Sequence, residues 1–358
     1  MKAENITDQV DQFEGRLRHR IELTVSGRDS EAIPKIDEAG TVVDFQGERV
    51  QLMHNGVKVL EGAYYGAWTT EVIKRLKGHH EPQEELAFDW IIRRLQKEEV
   101  ENPRMIELGS FWAYYSLWFL SQFPGGKALG IEPDPRNLEI GRRNAKINGL
   151  DDRMLFLAGA IGPHPGTPLN IGAESGGEEH FVDQINLEAS LGELASDRAD
   201  ILLADIQGAE THLLESERDL FLSRKVRFLV VSTHHHSISD DYLTHQKVLR
   251  LVQEHGGHVI AEHSVYESFS GDGLIVASFD ERDQDCSLLL SRSRSQDAIF
   301  RELEFDLDQQ REELDRKISE LDAAVSRIKE MENTKIWRYS LGVRNTFYRF
   351  KHLKRRNR

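Results

Sequence analysis

Short apolar runs alternate with helix-length segments between residues 101 and 280, and this rhythm limits what the chain can fold into. Runs of this length, bounded by polar residues, are typical of buried strands. Strands separated by helices run mostly parallel, because a parallel connection needs a crossover of about a dozen residues or more. The pattern therefore predicts an α/β protein with a mostly parallel sheet. The runs are RMIEL, KALGIE, RMLFLA, ADILLADI, VRFLVVS, GHVIAE and GLIVAS, and the last two are close enough to be antiparallel neighbours at one sheet edge.

Changes of composition divide the 358-residue chain further. The N-terminal part mixes two β-prone runs around an Asn-Gly turn with a helical pattern in EPQEELAFDWIIRRLQKE. A polar, Ser/Arg-rich stretch follows the alternating strands and helices. After it come a segment with apolar residues every seven positions and then a basic C-terminal segment. We therefore predict an N-terminal α+β extension (1–100), the catalytic domain (101–280), a linker (281–297), a coiled coil (298–334) and a basic aromatic tail (335–358).

The composition excludes several classes of protein. The most apolar stretch, FWAYYSLWFL, has half of the roughly 20 residues that a membrane-spanning helix needs. The polar N-terminus lacks the apolar core of a signal peptide, and the single Cys286 cannot form an internal disulfide, so we expect a cytoplasmic protein. The net charge of −15 disfavours nucleic acid as a partner.

Three strands end in residues that suit a ligand site. Glu107 lies near the end of RMIEL and Gly109 follows that run, Glu132 ends KALGIE, and Asp205 ends ADILLAD. In open α/β sheets ligands bind at the carboxyl ends of the strands, and a glycine there lets the backbone approach closely. Glu132 suits the two hydroxyls of a ribose. The alternative is that both acids cap the next helix. Capping is a reasonable role for Glu210, whereas for Asp205 we favour a role at the ligand site.

The spacing of glycines bears on which nucleotide-like ligand is bound. Nicotinamide-binding domains also place an acid after the second strand, but they carry the pattern G-x-G-x-x-G, which is absent here. A ligand with one ribose and no phosphate needs fewer glycines, because no anion has to be wrapped by backbone N–H groups. S-adenosylmethionine is such a ligand.

Together, the segments MIELGSFWAYYS, GIEPDPRNLEIGRRNAKING and DILLADIQGAETHLLE resemble the FkbM-type S-adenosylmethionine-dependent methyltransferases, over roughly residues 75–280. The resemblance implies a class I (Rossmann-like) methyltransferase fold, with a seven-stranded, mostly parallel sheet whose last strand is antiparallel. It implies that Glu107, Gly109 and Ser116 border the methionine end of the cofactor and that Glu132 holds the ribose. Asp205 would face the methyl group and the substrate.

The chain departs from the family pattern at three positions. Ala113 stands where a second glycine is usual, and Ala204 and Gln207 stand where the family commonly has a lysine and a glutamate. We expect a slightly altered cofactor loop at Ala113. The absence of the lysine leaves Asp205 as the only charged residue of this motif before Gly208.

Candidate general bases come from two histidine-rich segments and from Asp205. The segment LKGHHEPQEE, with His80, is expected to line the pocket, although a helix start explains its proline and acids equally well. His234 is expected to face the pocket just past the fifth strand. Adjacent histidines in the extended run His234–His236 point to opposite faces, which is poor geometry for a metal, and no feature of the sequence demands one.

The C-terminal segments predict assembly and a surface contact. Phe300, Leu307, Leu314, Leu321 and Ile328 recur every seven residues, which favours a coiled coil over one long helix lying on the catalytic domain. We therefore expect a homo-oligomer formed through residues 300–332. The tail has nine basic residues, five aromatic residues and no acid. Peripheral contact with the inner face of the membrane through residues 335–358 and a disordered basic end are the two alternatives.

These observations predict an S-adenosylmethionine-dependent O-methyltransferase. The expected acceptor is a sugar hydroxyl of a surface polysaccharide or glycolipid precursor. The alternative is a non-catalytic methyltransferase-like scaffold that assembles a polysaccharide-biosynthesis complex through its coiled coil. A nicotinamide enzyme ranks below both because of the missing glycines.

Overall fold

The computed structural model describes residues 16–162, 164–171, 180–294 and 301–333. The chain divides into two units, one reaching Glu302 and one beginning at Leu303. The described part of the first unit holds every strand and all helices but the last. Its helices are α1 (Arg16–Ser26), α2 (Ala67–Arg75), α3 (Pro82–Lys97), α4 (Tyr114–Gln122), α5 (Pro135–Ile147), α6 (Leu187–Glu193), α7 (Glu210–Ser216), α8 (Arg218–Leu222), α9 (His236–Ser239) and α10 (Thr244–Glu254).

A seven-stranded sheet forms the centre of the first unit, in the order β12-β13-β11-β10-β4-β5-β6. Its strands are β4 (Arg104–Leu108), β5 (Lys127–Glu132), β6 (Met154–Ala158), β10 (Ala199–Ala204), β11 (Val226–Thr233), β12 (His258–His263) and β13 (Gly273–Ser278). The strand β13 runs antiparallel to both of its neighbours, while the other pairings are parallel. This strand order, with one antiparallel strand next to the edge, confirms the predicted class I methyltransferase fold.

Apolar side chains cover both faces of this sheet, which is why its strands read as nearly continuous apolar runs. On β10, Ile201 and Leu203 belong to one buried cluster with α3 and α4, whereas Leu202 and Ala204 belong to a second cluster with α6, α7 and α10. Each fully buried large apolar side chain contributes about 1.5–3 kcal/mol relative to an exposed one. The packing on both faces holds the strand ends rigidly in place.

The N-terminal region forms a small antiparallel sheet that packs on the same body. Its strands are β1 (Val42–Phe45), β2 (Glu48–Leu52) and β3 (Lys58–Leu60), and the predicted Asn-Gly turn joins the last two. Met53, Val57 and Val59 enter the core cluster that contains α3 and α4. The turn after β3 is thereby held beside the carboxyl ends of the large sheet.

Two further segments are attached to the body. A three-stranded sheet of β7 (Ala160–Ile161), β8 (Pro168–Ile171) and β9 (His180–Ile185) lies between β6 and α6 in the chain. The described part of the predicted linker, 281–294, packs on the body, since Leu290 is buried and Gln83 donates to the carbonyl of Ser291 at 2.7 Å.

The second unit contains the 33-residue helix α11 (Arg301–Asn333). The predicted C-terminal helix is therefore present, while Phe300 and the tail 335–358 lie outside the described residues. The apolar residues on the heptad face of α11 are 38–62% exposed within the single chain. The described ones are Leu307, Leu314, Ile318, Leu321, Val325 and Ile328. Among the described helices, none combines the length and the apolar composition that crossing a bilayer requires.

Candidate functional site

The carboxyl ends of β4, β5 and β10 meet at one edge of the sheet and position the acids that follow them. The backbone N–H of Gly109 donates to the carbonyl of Ile131 at 2.9 Å, and that of Asp205 donates to the carbonyl of Leu108 at 3.0 Å. Backbone hydrogen bonds thus tie the three strand ends together. Parallel pairing brings Gly109, Glu132 and Asp205 to the same edge.

Gly109 occupies a place that no other residue fits. Its φ of 72° lies in the left-handed region. A Cβ at this position would lie 1.8 Å from the carbonyl oxygen of Asp205. Glycine is therefore what allows the turn after β4 to pass against the turn after β10.

The rest of the loop keeps glycine-like geometry without glycine. Phe111 has a φ of 38°, and Ala113 has a φ of 60° and a ψ of 27°. A left-handed conformation costs a non-glycine residue about 1–2 kcal/mol, so the packing of the loop must offset it. Ala113 takes a left-handed conformation that glycine adopts more readily. The alanine that stands in place of the family's usual glycine therefore keeps the turn.

The carboxylate of Glu132 organises this loop. One oxygen accepts a hydrogen bond from the backbone N–H of Phe111 at 3.0 Å, and the other accepts one from the N–H of Asp134 at 2.8 Å. Glu132 is therefore fixed in orientation at the carboxyl end of β5.

Glu107 is buried beside these residues and is supported by Ser116. Its carboxyl group accepts a hydrogen bond from the backbone N–H of Ser116 at 3.1 Å. Burial disfavours the charged form and raises the pKa of Glu107 to about 8. Ser116 itself is fully buried behind Glu107 and lies outside the cavity lining.

These strand-end residues line a small cavity that opens to solvent. We call Glu107, Gly109, Glu132 and Asp205 its floor. Its aromatic wall is formed by Tyr64, Tyr65, Phe111, Trp112 and Tyr115. Within the wall, Tyr64 stacks on Trp112 with ring centroids 4.4 Å apart and planes inclined by 7°. The other lining residues are His80, Glu81, Glu84, Ser110, Leu203 and Gln207, so no lysine or arginine is among the described residues of the lining.

His80 reaches this cavity and is held by two acids. Glu85 accepts a hydrogen bond from the backbone N–H of His80 at 2.9 Å and lies 2.6 Å from its Nδ1, while Nε2 lies 3.3 Å from Glu81. Burial alone would lower the pKa of His80, but Glu81 and Glu85 outweigh it and raise the pKa to about 10. The segment that contains His80 is also a helix start, because Pro82 begins α3.

His234 contacts the cavity through Asp205. Its Nε2 lies 3.1 Å from a carboxylate oxygen of Asp205, and its Nδ1 lies 2.7 Å from Glu210. Burial would lower the pKa of His234, but the nearby Asp272, together with Asp205 and Glu210, raises it well above its ordinary value. The side chain of His234 is 1% exposed and that of Asp205 is 34% exposed. Of the three predicted catalytic residues, Asp205 is the most open to the cavity.

Comparison with known protein families assigns the region that carries this site. Residues 97–259 match the model of the methyltransferase FkbM domain. They form an FkbM methyltransferase domain. The match begins within α3 and extends into β12, so it includes all four residues of the floor.

Solved methyltransferase structures share part of the architecture. A METTL16 MTase domain is 12% identical, with a TM-score of 0.41, and the alignment covers 78% of this chain and 94% of that one. An O-methyltransferase from Bacillus cereus in complex with SAH is 13% identical, with a TM-score of 0.34, over 53% of this chain and 80% of that one. These low scores add nothing to the fold assignment, which rests on the strand order. No curated protein sequence matches this chain.

The FkbM domain alone does not complete the cavity. Tyr64, Tyr65 and His80 precede residue 97, where the family match begins. His80 was expected from its motif, but no motif marked the two tyrosines, which lie in the turn between β3 and α2. Asp272, just before β13, was also missed; it lies 3.9 Å from Nε2 of His234. An acid before a strand that lies next to the sheet edge gives no local signal of such a contact.

Proposed function

We propose that this protein is an S-adenosylmethionine-dependent O-methyltransferase acting on a sugar hydroxyl of a surface polysaccharide or glycolipid precursor. The observation that carries the proposal is the joining of Gly109, Glu132 and Asp205 at one sheet edge, beneath a cavity rich in acids and aromatic rings. The FkbM family match supports methyl transfer as the reaction class.

The floor suits S-adenosylmethionine by its chemistry. Glu132, oriented at the carboxyl end of β5 by the N–H groups of Phe111 and Asp134, would accept hydrogen bonds from the ribose hydroxyls. The carboxylates of the floor attract a cation, and the cofactor carries a sulfonium. When bound, the cofactor would supply an electrophilic methyl group.

Asp205 is the proposed proton acceptor. The Asp205 carboxylate would accept the proton of the acceptor hydroxyl, while the bound cofactor would supply the methyl group to that oxygen and become a neutral thioether. Asp205 suits this role because its side chain is partly open to the cavity, whereas His234 is buried behind it. His234 would position Asp205 through the 3.1 Å contact. His80 also lines the cavity, but its pKa is raised to about 10, so it holds its proton at neutral pH and suits the role of base less well.

The lining supports a neutral acceptor. Carboxylates accept hydrogen bonds from sugar hydroxyls, and the apolar faces of a sugar ring can pack against aromatic side chains. An anionic acceptor would be repelled, since the described lining holds acids and no lysine or arginine to balance them. The choice of a surface glycan as the acceptor is inferred from the sequence resemblance.

The test is mass spectrometry of the cell-surface glycans with and without the gene. The proposal predicts that one glycan loses the mass of one CH₂ unit when the gene is deleted, and that purified protein restores it when S-adenosylmethionine is added. Unchanged glycans, together with a failure of the pure protein to bind labelled S-adenosylmethionine, would contradict it and favour the scaffold alternative.

Assembly and location are separate proposals. We propose that residues 300–332 pair with a second copy of the chain. The reason is that three residues of the heptad repeat on α11 are more than half exposed in one chain: Leu314, Leu321 and Ile328. Light scattering should give an oligomer that becomes a monomer when these residues are changed to serine.

From sequence alone, we propose a cytoplasmic protein whose segment 335–358 contacts the membrane. Flotation of the protein with anionic vesicles should depend on that segment.

A further inference from the structure

A histidine beside the cavity floor is enclosed by three carboxylates that come from different elements. His234 follows β11, Asp205 follows β10, Glu210 begins α7 and Asp272 precedes β13. Nδ1 of His234 lies 2.7 Å from Glu210, while its Nε2 lies 3.1 Å from Asp205 and 3.9 Å from Asp272. We propose that Glu210 and Asp272 are positioning residues that keep His234 as a charged imidazolium, so that His234 serves as the counter-ion of the Asp205 carboxylate.

The contacts at the two ring nitrogens of His234 favour the charged ring. A neutral imidazole has a hydrogen on one nitrogen and a lone pair on the other. Here both nitrogens face carboxylate oxygens, so a lone pair on either nitrogen would meet the lone pairs of an acid. With a hydrogen on each nitrogen, both contacts become attractive. Burial would lower the pKa of His234, but the three acids outweigh it and raise the pKa, which agrees with this charge state.

Glu210 is arranged as the ionised partner of this ring. Its Oε1, which contacts His234, also accepts a hydrogen bond from the backbone N–H of Gly208 at 3.0 Å, and this bond stabilises the carboxylate. Its Oε2 is buried without a hydrogen-bond partner among the residues that the structure describes, so a proton there would have no acceptor. An imidazole also holds a proton more tightly than a carboxylate in ordinary peptides. The proton between the two side chains therefore belongs to His234.

The charge on His234 matters because the cavity floor is rich in acids. Glu107 and Glu132 lie on the floor with Asp205, and the described lining contains no lysine or arginine. Like charges repel one another, and an imidazolium 3.1 Å from Asp205 offsets this repulsion. Oδ1 of Asp205 faces His234 and is buried. The second oxygen, Oδ2, is therefore left to accept a proton from the cavity.

This arrangement deepens the proposed function and rests on it for its consequence in catalysis. A carboxylate that stays ionised beside other acids can accept the proton of a hydroxyl group at neutral pH. His234 and Glu210 support that state from behind Asp205, since neither of them lines the cavity. The charge of His234 is a property of the protein without its ligands, so it can be measured whatever the acceptor is.

The first test is an NMR pH titration of the full-length protein with ¹⁵N-labelled histidines. The imidazoles of His80 and His234 should both stay doubly protonated at pH 8, and the signal that is missing in His234→Gln belongs to His234. In Glu210→Gln, checked for folding by its thermal melt, His234 should lose its proton at a pH lower by at least about one unit. Glu262→Gln is the matched control, because Glu262 lies 3.3 Å from Nε2 of another buried histidine, His245. It should leave the titration of His234 unchanged.

Two outcomes of this titration would overturn the proposal. One is a His234 that is neutral at pH 8 in the wild-type protein, and the other is the same titration of His234 in the wild-type protein and in Glu210→Gln. If Glu210→Gln does not fold, Asp272→Asn decides, since the Asp272 side chain is partly exposed and its charge also faces the ring. His234 should then titrate at a lower pH than in the wild-type protein, and an unchanged titration would overturn the proposal.

The second test separates this role from the proposed function. In Glu210→Gln the acid limb of the profile of kcat/KM against pH should move to higher pH, so that kcat/KM below the limb falls about tenfold for a shift of about one unit. Glu210→Asp keeps the charge and should restore part of the loss, whereas an unshifted limb in an active Glu210→Gln enzyme would overturn the proposal. A charged His234 in a protein that transfers no methyl group would support the ion pair and contradict the proposed function. A neutral His234 in an active methyltransferase would contradict the ion pair alone.

Discussion

The floor and the aromatic wall of the cavity are built in different ways. The floor is set by backbone geometry: Gly109 and Asp205 are tied by main-chain hydrogen bonds to neighbouring strand ends, and Glu132 is bound to two backbone N–H groups. The wall is set by side chains, as in the stacking of Tyr64 on Trp112. A change that breaks these backbone contacts of the floor should therefore disturb cofactor binding and folding together, whereas a change in the wall should alter the binding of the acceptor alone.

The largest effect is expected at Gly109. In Gly109→Ala the new Cβ would lie 1.8 Å from the carbonyl oxygen of Asp205, so the two turns must separate. We expect a loss of stability of more than about 4 kcal/mol, or failure to fold, as measured by chemical unfolding.

Gly192→Ala is the matched control for this change. Gly192 lies in α6, and a Cβ there meets no heavy atom within 4 Å. Alanine should leave stability equal or raise it by up to about 1 kcal/mol. If Gly109→Ala were as stable as this control, the close contact between the two turns would be refuted.

A smaller effect, confined to the chemical step, is expected at Asp205. Asp205→Asn keeps the shape of the side chain and removes the proton acceptor, so kcat should fall by about 10²–10⁴-fold. The affinity for S-adenosylmethionine should change by less than about tenfold, as measured by calorimetry. Asp200→Asn, at the opposite end of β10, should leave kcat unchanged. An unchanged kcat in Asp205→Asn would exclude Asp205 as the base.

The pH dependence of stability should reveal the burial of Glu107. Because its pKa is raised to about 8, the folded state holds this proton more tightly than the unfolded state does. The wild-type protein should therefore lose stability relative to Glu107→Gln as the pH rises from 5 to 8, by a few kcal/mol. Unfolding curves for the two proteins that keep a constant separation over this range would show that Glu107 is not buried as a neutral acid.

The smallest effect is expected from the wall. Tyr65 is 45% exposed, so Tyr65→Ala should fold normally. The KM for the glycan acceptor should rise by up to about tenfold, the value of one aromatic contact, while the Kd for S-adenosylmethionine stays the same. Phe181→Ala, at an exposed aromatic residue outside the cavity, should change neither constant. A Tyr65→Ala variant that loses cofactor affinity would remove the distinction between floor and wall.

The same division explains what could be predicted from the sequence. Glu107, Gly109, Glu132 and Asp205 each end or follow an apolar run, so local periodicity places them at strand ends, and the parallel sheet then brings them together. The mostly parallel sheet was predicted on the same basis, and the family resemblance added the number of strands and the antiparallel last strand.

The wall could not be predicted, because its contacts join segments that are distant in the chain. Tyr64 and Tyr65 lie in a turn, and only the packing of the N-terminal sheet brings them to Phe111 and Trp112. Ser116 was predicted from its motif to contact the cofactor. In the structure its backbone N–H donates to Glu107, and Ser116 is not among the residues that line the cavity.

The central claim is that the floor binds S-adenosylmethionine through Glu132, and calorimetry tests it most directly. Wild-type protein should bind one S-adenosylmethionine per chain. Glu132→Gln, checked for folding by its thermal melt, should bind at least tenfold more weakly, since a hydrogen bond to a charged group contributes about 1.5–3 kcal/mol. Equal affinity in a folded Glu132→Gln variant, or no binding by the wild-type protein, would contradict the account.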